Sequence, residues 1–483
     1  MNSVWSESVS FENYPALQKD ISVDTVVIGG GMAGLLTAYK LQKQGKEVVV
    51  IEADRVCSGQ TKNTTAKITS QHGDIYHKIE KFYGAQASKH YAQANEKAIS
   101  DYQHIINEKG IDCDFEIKKA VLYTTTDSKT IDKEYKSAKK AGIDCFLTRI
   151  CNLPFTVLNA VAFNNQAQFN PLKFAKAILN DLTVYENTPA TRIVGNTVYT
   201  KQAKISANNI VVATHYPFVN FPSAYFLKIS QERSYVVAFE KGNRYFDDMY
   251  IGIEDDTLSF RAYKDYILLG GGAHRTGVND VGDAFSMLWK KANEYYNSPQ
   301  KAFCWSAQDC VTLDEIPYIG RFNKSSPNIY VATGFGKWGM TSSMVSANII
   351  CDMICGIENE YCDIFSPQRF NLLAGAKNFA DNTAQTLKGF ATHLCFAIEN
   401  LQDVQKGESK EIRFNGHTAG AFRDNDGKVY VVSLKCPHFK CKLQFNSATK
   451  TWDCPCHGSR YDYKGNLLDN PSQAHSILIA IKD

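Results

Sequence analysis

A chain of 483 residues, 44% hydrophobic and 21% charged, has the make-up of a globular protein and room for two or three domains. A net charge of +3 offers no field that would recruit nucleic acid or an anionic membrane, so neither is an expected partner. No run approaches 18 apolar residues, and Met1–Asp20 lacks the basic start and apolar centre of a secretory signal. The expectation is a chain without a transmembrane segment. Its fourteen cysteines, mostly scattered, point to free buried thiols in a reducing cytoplasm.

The first readable unit is Val23 to Glu52. An apolar strand runs into Gly29-x-Gly31-x-x-Gly34, a helix follows from Leu35 to Gln44, and Gly45 ends it. A second apolar strand, Val48–Ile51, ends at Glu52, 18 positions after Gly34. Glycines let the backbone approach a pyrophosphate, the helix start at Met32 and Ala33 attracts its charge, and the acid accepts from ribose hydroxyls. This is a dinucleotide fingerprint, and the acid favours FAD or NAD over NADP. The polar loop that follows is dense in donors and suits a second arm around a pyrophosphate and a flavin edge. Its candidates are Arg55, Ser58, Gly59, Thr61, Thr65, Lys67 and His72.

The fingerprint and loop resemble the FAD-dependent oxidoreductases of the D-amino-acid oxidase and sarcosine oxidase superfamily, over about residues 20–365. The resemblance implies FAD and a two-part architecture. FAD-binding parts fall at about 20–75, 150–225 and 320–365, and substrate or cap parts at about 76–150 and 226–319. It allows His72 to contact or covalently hold the flavin. The plainer reading is a loop histidine bonded to backbone, and Cys57 reads as a small buried side chain.

Residues 76–150 look helical and charged, a cap with a short β segment at Ala120–Thr125. Thr183–Tyr185 and Thr197–Thr200 bracket the hairpin signal Gly195-Asn196. Asn209–Thr214 is a buried strand; in relatives it lies near the FAD adenine and ends in Ala-Thr, as at Ala213-Thr214. Val236–Glu240, Asp256–Tyr263 and Ile267–Gly271 read as strands of a substrate sheet. Arg261, Tyr263, His274 and Arg275 are its polar candidates, more often structural than catalytic. With His72, Arg261 and His274 are the catalytic candidates, and an arginine could pair a substrate carboxylate. Sarcosine oxidases carry a lysine on the corresponding strand that helps oxygen accept electrons. Leu268 or Leu269 stands there, so oxygen is expected to be a poor acceptor. Gly334-x-Gly336-x-x-Gly339 mimics a second fingerprint but lacks the following strand and acid. It matches the superfamily's closing motif, so Gly334, Gly336, Trp338, Gly339, Met340 and Thr341 are expected against the flavin. Residues 366–400 read as a helical linker, docked through Phe390, Leu394, Phe396 and Ile398.

The last stretch carries Cys436-Pro-His438 and Cys454-Pro-Cys-His457, two loops that each mix one Cys with one His. That is the ligand pattern of a Rieske 2Fe–2S centre, two thiolates on one iron and two imidazoles on the other. A structural zinc site also takes two Cys and two His, though zinc fingers usually group like with like. Residues 401–483 resemble the Rieske proteins of cytochrome bc complexes. The resemblance implies a small all-β domain and a Cys441–Cys456 disulfide. It also implies hydroxyls of Ser459 and Tyr461 on the cluster sulfurs, and hence a potential toward the upper end of about −150 to +300 mV. The family's Pro-rich third loop is replaced by Asn470-Pro471-Ser472-Gln473, which leaves shielding of the cluster open.

The fold class expected is thus an α/β FAD-binding Rossmann-type domain with a β-rich substrate domain and a small all-β Rieske domain. The function expected is oxidation of an amine or amino acid by hydride transfer to FAD. Electrons would pass through the 2Fe–2S cluster to a one-electron acceptor protein or quinone-like acceptor. The alternatives are an electron-transfer reductase component and a redox-switch protein.

Overall fold

In the computed structural model, which describes residues 2–242, 247–254, 257–279, 282–297, 299–391 and 401–482, the run Ile21–Ile28 is an internal strand. It lies parallel to Val48–Ile51 on one side and to Lys204–Val212 on the other, and Lys204–Val212 lies parallel to Ser326–Thr333. Strands covered on both faces read as continuous β-branched runs, as the C-terminal halves of these do. Tyr318–Asn323 and Thr183–Tyr185 form the two edges of the main path of this eight-stranded sheet. The registers Ile28↔Val212 and Val212↔Val331 bring the C-terminal ends of three parallel strands to one edge. The helices that follow two of them, Met32–Lys43 and Gly339–Cys355, therefore begin at that edge and pack together. The Gly195–Asn196 hairpin forms, but its arms are Arg192–Val194 and Thr197–Tyr199. Thr183–Tyr185 pairs with Val48–Ile51 instead, because its apolar Val184 extends the buried sheet.

A second sheet of nine strands runs from Lys301–Thr312 through Ile229–Glu240, Tyr266–Arg275, Ser259–Tyr263, Met249–Gly252 and Glu116–Thr124 to Asn159–Gln168 and Lys67–Ile68. Asp256 lies outside the described residues. The sheet reaches back into the early sequence: Lys67 pairs with Gln168 and Ile68 with Ala167. The donor-rich loop before Lys67 is thereby strung between the two sheets. Strand alternation separates the two leucines at the lysine position. Leu268 packs into the core shared with Met32 and Leu122, while Leu269 packs with Tyr235 and Leu288 beneath helix Ala284–Tyr296. The region read as a cap holds helices Ile75–Tyr83, Ala85–Lys109 and Ser128–Lys140, and its β segment is a full strand of the second sheet.

The N-terminal segment, polar in sequence, is anchored by Trp5. Its ring is fully buried against Tyr263, and its Nε1 donates to the Thr64 carbonyl at 2.8 Å. Trp305 holds the same loop from the other side through Asn63 O at 2.9 Å.

Helix Leu372–Ala391 crosses toward the C-terminal domain, fixed by Asn371 on Phe82 O and Asn378 on Leu313 O. The docking expected of Leu394, Phe396 and Ile398, and of the Phe390 side chain, falls outside the described residues. The C-terminal domain is two four-stranded antiparallel sheets. One holds Ser409–Phe414, His417–Arg423, Val429–Ser433 and Leu478–Lys482. The other holds Gln444–Asn446, Thr451–Asp453, Arg460–Asp462 and Leu467–Asp469.

Candidate functional site: two cradles and their junction

The strand edge described above gathers three stretches. At the first, a Cβ on Gly34 would lie 1.9 Å from Gly29 O, and one on Gly29 would lie 2.4 Å from Ala213 O. Only glycine permits this closeness, which leaves the backbone bare for a phosphate. Glu52 is tied into the turn, accepting from Gly30 N at 2.7 Å and Asp54 N at 3.0 Å, and burial pushes its carboxyl up. Thr61 turns its hydroxyl to accept from Met32 N at 3.0 Å, joining the donor loop to the helix start. The third stretch folds back through Gly334 and Gly336, both at positive φ, and Gly336 N donates to Cys310 O at 2.8 Å.

His72 locks the second stretch to the third. Its Nε2–H donates to Thr69 O at 2.6 Å, its Nδ1 accepts from the Tyr91 hydroxyl at 2.7 Å, and its ring stacks on Trp338 at 4.7 Å. Thr341 donates to the same Thr69 carbonyl, and Met340 O accepts from Tyr102. Burial pushes the imidazole down to about 3. With both nitrogens engaged, His72 serves as a clamp rather than as a proton carrier. Arg55 is bonded to Glu186 at 2.8 Å and to Glu12 O at 2.8 Å. Ser58 is bonded to Asp54, and Gly59 faces open space.

Lys67 and Arg261 are two cations at the junction of the sheets. Arg261 is buried, reaches the Thr65 carbonyl, and lies over the Trp5 ring at 5.2 Å. Burial lowers the Lys67 ammonium to about 7, and Arg261 adds to the shift. Tyr263 is held by Asp114 and Asn170. His274 stacks on Tyr235, its Nδ1 on Gly272 O, at the end of the strand that faces the C-terminal domain.

The cluster candidates sit on two loops of the same design. Cys436 N donates to Cys441 O, and Lys440 N returns to Cys436 O. Cys454 N donates to Ser459 O, and Gly458 N returns to Cys454 O. In each loop the fifth residue has positive φ, +64° at Lys440 and +81° at Gly458. A disulfide joins Cys441 to Cys456 across them. Those two sulfurs lie within 4.8 Å of Cys454 Sγ but are spent on each other, so they are not ligands.

What remains is Cys436, Cys454, His438 and His457. The two thiols share a proton, which pulls Cys436 down to about 6 and pushes Cys454 up. The imidazoles lie 5.1 Å apart, and burial holds both neutral. Their Nδ1 atoms are buried without a hydrogen-bond partner. His438 Nε2–H donates to Asn220 Oδ1 at 3.1 Å, which leaves a lone pair on its Nδ1. Two adjacent thiols, of which Cys436 is shifted down, and two bare, neutral ring nitrogens fit a Rieske cluster. The Tyr461 hydroxyl lies 3.7 Å from Cys436 Sγ, and Ser459 Oγ accepts from Ser472 N at 3.0 Å, which leaves its own proton to donate.

The junction between the cradles was not foreseen residue by residue. Gln231 donates to His457 O at 2.7 Å and to Asn470 O at 3.0 Å. Gln308 donates to Gly458 O at 2.8 Å and to Gln231 Oε1 at 2.6 Å. Gln60, in the donor loop, accepts from Gln308 N and donates to Asp469. Arg275 grips Pro455 O at 3.0 Å and Cys456 O at 3.1 Å. A Cβ on Gly277 would meet Pro455 N at 2.3 Å, so that glycine is required for the approach. Asn470 donates to the carbonyls of Thr214 and Tyr216, and so the replaced third loop is covered by the flavin domain. Single Gln, Asn and Arg residues carry no pattern in one sequence. The only signal was Arg275 among the strand-end polar residues.

Fold and site together define an FAD-dependent oxidoreductase that carries a Rieske 2Fe–2S domain. The chain belongs to the FAD dependent oxidoreductase family, which it matches over residues 24–353, and residues 395–480 match the Rieske [2Fe-2S] domain. The chain is 35% identical to YhfW, a Rieske 2Fe-2S iron-sulfur protein of Bacillus subtilis, over 97% of this chain and 95% of that one. It is 23% identical to the gamma-glutamylputrescine oxidoreductase of Escherichia coli, over 81% and 95%. The fold matches the crystal structure of glycine oxidase from Geobacillus kaustophilus with a TM-score of 0.61 at 16% identity, over 72% and 99%. Among the described residues no helix is long and apolar enough to cross a membrane.

Proposed function

We propose that the protein oxidises an amine or amino acid at its FAD and passes the electrons on through its 2Fe–2S cluster to an external one-electron acceptor. FAD supplies two-electron hydride chemistry at carbon, and the Rieske cluster supplies one-electron transfer. The chain's own contribution is to hold the two groups in register. In this reading Gly29, Gly31, Met32, Ala33, Gly34 and Ala213 form the pyrophosphate cradle, and Glu52 serves the ribose. Thr61, Thr65, Lys67, Gly334, Gly336, Trp338, Gly339, Met340 and Thr341 surround the ring system. Cys436 and Cys454 hold one iron, and the Nδ1 atoms of His438 and His457 hold the other.

One observation carries the reading. The cluster loop is bonded directly to the flavin half: Gln231 donates to His457 O, Gln308 bonds Gln231 and Gln60, and the donor loop that carries Gln60 accepts from Met32 N through Thr61. Amine chemistry is supported by the relationship to gamma-glutamylputrescine oxidoreductase. Leu268 and Leu269, both buried on the strand where sarcosine oxidases carry lysine, support an acceptor other than oxygen.

Anaerobic addition of secondary amines and amino acids is expected to bleach the flavin absorbance and then raise the electron-paramagnetic signal of the reduced cluster. Reduction by NADH with no response to any amine would replace this reading with that of a reductase component.

A further inference from the structure

The rim of the junction that meets solvent differs from its interior. On the inner side, the His457 backbone is held by Gln231 and its ring is covered by Phe226 at 5.9 Å and Phe439 at 5.5 Å. On the outer side, His438 is only half-buried and lies beside Asn220 and Phe439. Next to it Phe221 is 68% exposed and Leu227 is 51% exposed, an expense no monomer core requires. Phe226 ties the patch together, 5.8 Å from the Phe221 ring and 5.0 Å from that of Phe439.

The two segments that build the patch carry charge of one sign. Residues 205–231 contain no Asp or Glu, and Lys228 lies among them. Residues 427–452 also contain none, but hold Lys428, Lys435, Lys440, Lys442 and Lys450. Lys442 is paired with Glu411, and Lys435 and Lys440 lie exposed on the His438 loop.

We infer that this surface (Phe221, Leu227 and Phe439 with Lys435 and Lys440) is where a small acidic one-electron carrier protein docks against the half-exposed His438. An apolar centre with a single-sign rim gives a contact that is steered, brief and salt-sensitive, as a carrier exchange requires. The inference rests on the function proposed above only in taking the cluster as the point of exit.

The test uses the full chain reduced with dithionite, so that no amine is needed. It is mixed in stopped flow with an acidic blue-copper protein, a basic c-type cytochrome or a small uncharged quinone. The acidic carrier is expected to oxidise it fastest at low salt, with the rate constant falling about tenfold at high ionic strength. F221E/L227E and K440E should each lower that rate about tenfold. K440R should retain it, and the quinone rate and the cluster's paramagnetic spectrum should stay unchanged. F221S/L227S checks that any loss is not due to the introduced charge alone. The dissociation constant of the oxidised protein for the acidic carrier, by surface plasmon resonance, should weaken in parallel. Equal rates and salt slopes for acidic and basic carriers would overturn the inference. So would variants that keep the carrier rate but lose binding to phosphatidylglycerol vesicles, which would make the face a membrane contact. Absence of amine turnover with these rates intact would remove the proposed substrate and leave the docking surface standing.

Discussion

At Gly34 a single added methyl group would sit 1.9 Å from a carbonyl oxygen, whereas the cluster loops are defined by what their side chains carry. The flavin cradle is made of backbone: glycines, helix starts and amide groups at the ends of parallel strands. The cluster cradle is made of four specific side chains on two matched turns with a disulfide between them. Each can be damaged by a change that leaves the other's elements untouched, and the junction residues are where the two become one device.

The largest separation is expected from Gly34→Ala. The Cβ cannot be accommodated without moving the Gly29 turn, so FAD content should fall to near zero. Iron and acid-labile sulfide should stay near two per chain, as a 2Fe–2S cluster requires. Parallel loss of both cofactors would show that the cradles do not fold independently. Cys454→Ser is the converse: no cluster by iron analysis and paramagnetic resonance, with the flavin spectrum retained. Loss of flavin in this variant would break the comparison from the other end.

Arg275→Met addresses the join. It removes two charge-assisted hydrogen bonds to the cluster loop, each contributing about 1.5–3 kcal/mol. Amide exchange at Cys454–Ser459 should accelerate, by about tenfold or more, with both cofactors present. Unchanged exchange would mean that the glutamines hold the junction alone. The smallest effect concerns Lys67. Its ammonium is held down to about 7 by burial, while the unfolded chain keeps the proton up to about 10.4. Between those values the unfolded state binds more protons, so the stability of the flavin-free protein should rise with pH. Lys67→Met should flatten that rise in urea midpoints taken at about pH 7, 8 and 9. Parallel curves for the two proteins would show that Lys67 does not titrate there.

Much of this was legible in the residues. Gly29 to Glu52 marked the parallel sheet, since strand, glycine turn, helix and acid follow one another without interruption. Cys436 to His457 marked the cluster loops, since ligand chemistry is written in residue type, and the resemblance to the Rieske proteins of cytochrome bc complexes implied the disulfide. The hairpin arms were misplaced, because Gly195-Asn196 fixes a turn and leaves its partner strand to packing. Trp5 was invisible in a polar terminus, because its burial depends on Tyr263 and Arg261, far away in sequence. Arg55 and His72 were read with the flavin residues from residue type alone; their bonds to Glu186 and to the Thr69 and Tyr91 groups depend on the fold.

The sequence by itself determined which two cofactors the chain carries and where each cradle begins, because both are set by local spacing of glycines or ligands. Only the tertiary structure decided that the cradles touch, which side of the cluster is covered and which is left to solvent. Those outcomes hang on Gln60, Gln231, Arg275, Gln308 and Asn470. Their amides and guanidinium acquire meaning only when carbonyls from distant segments come within hydrogen-bonding reach.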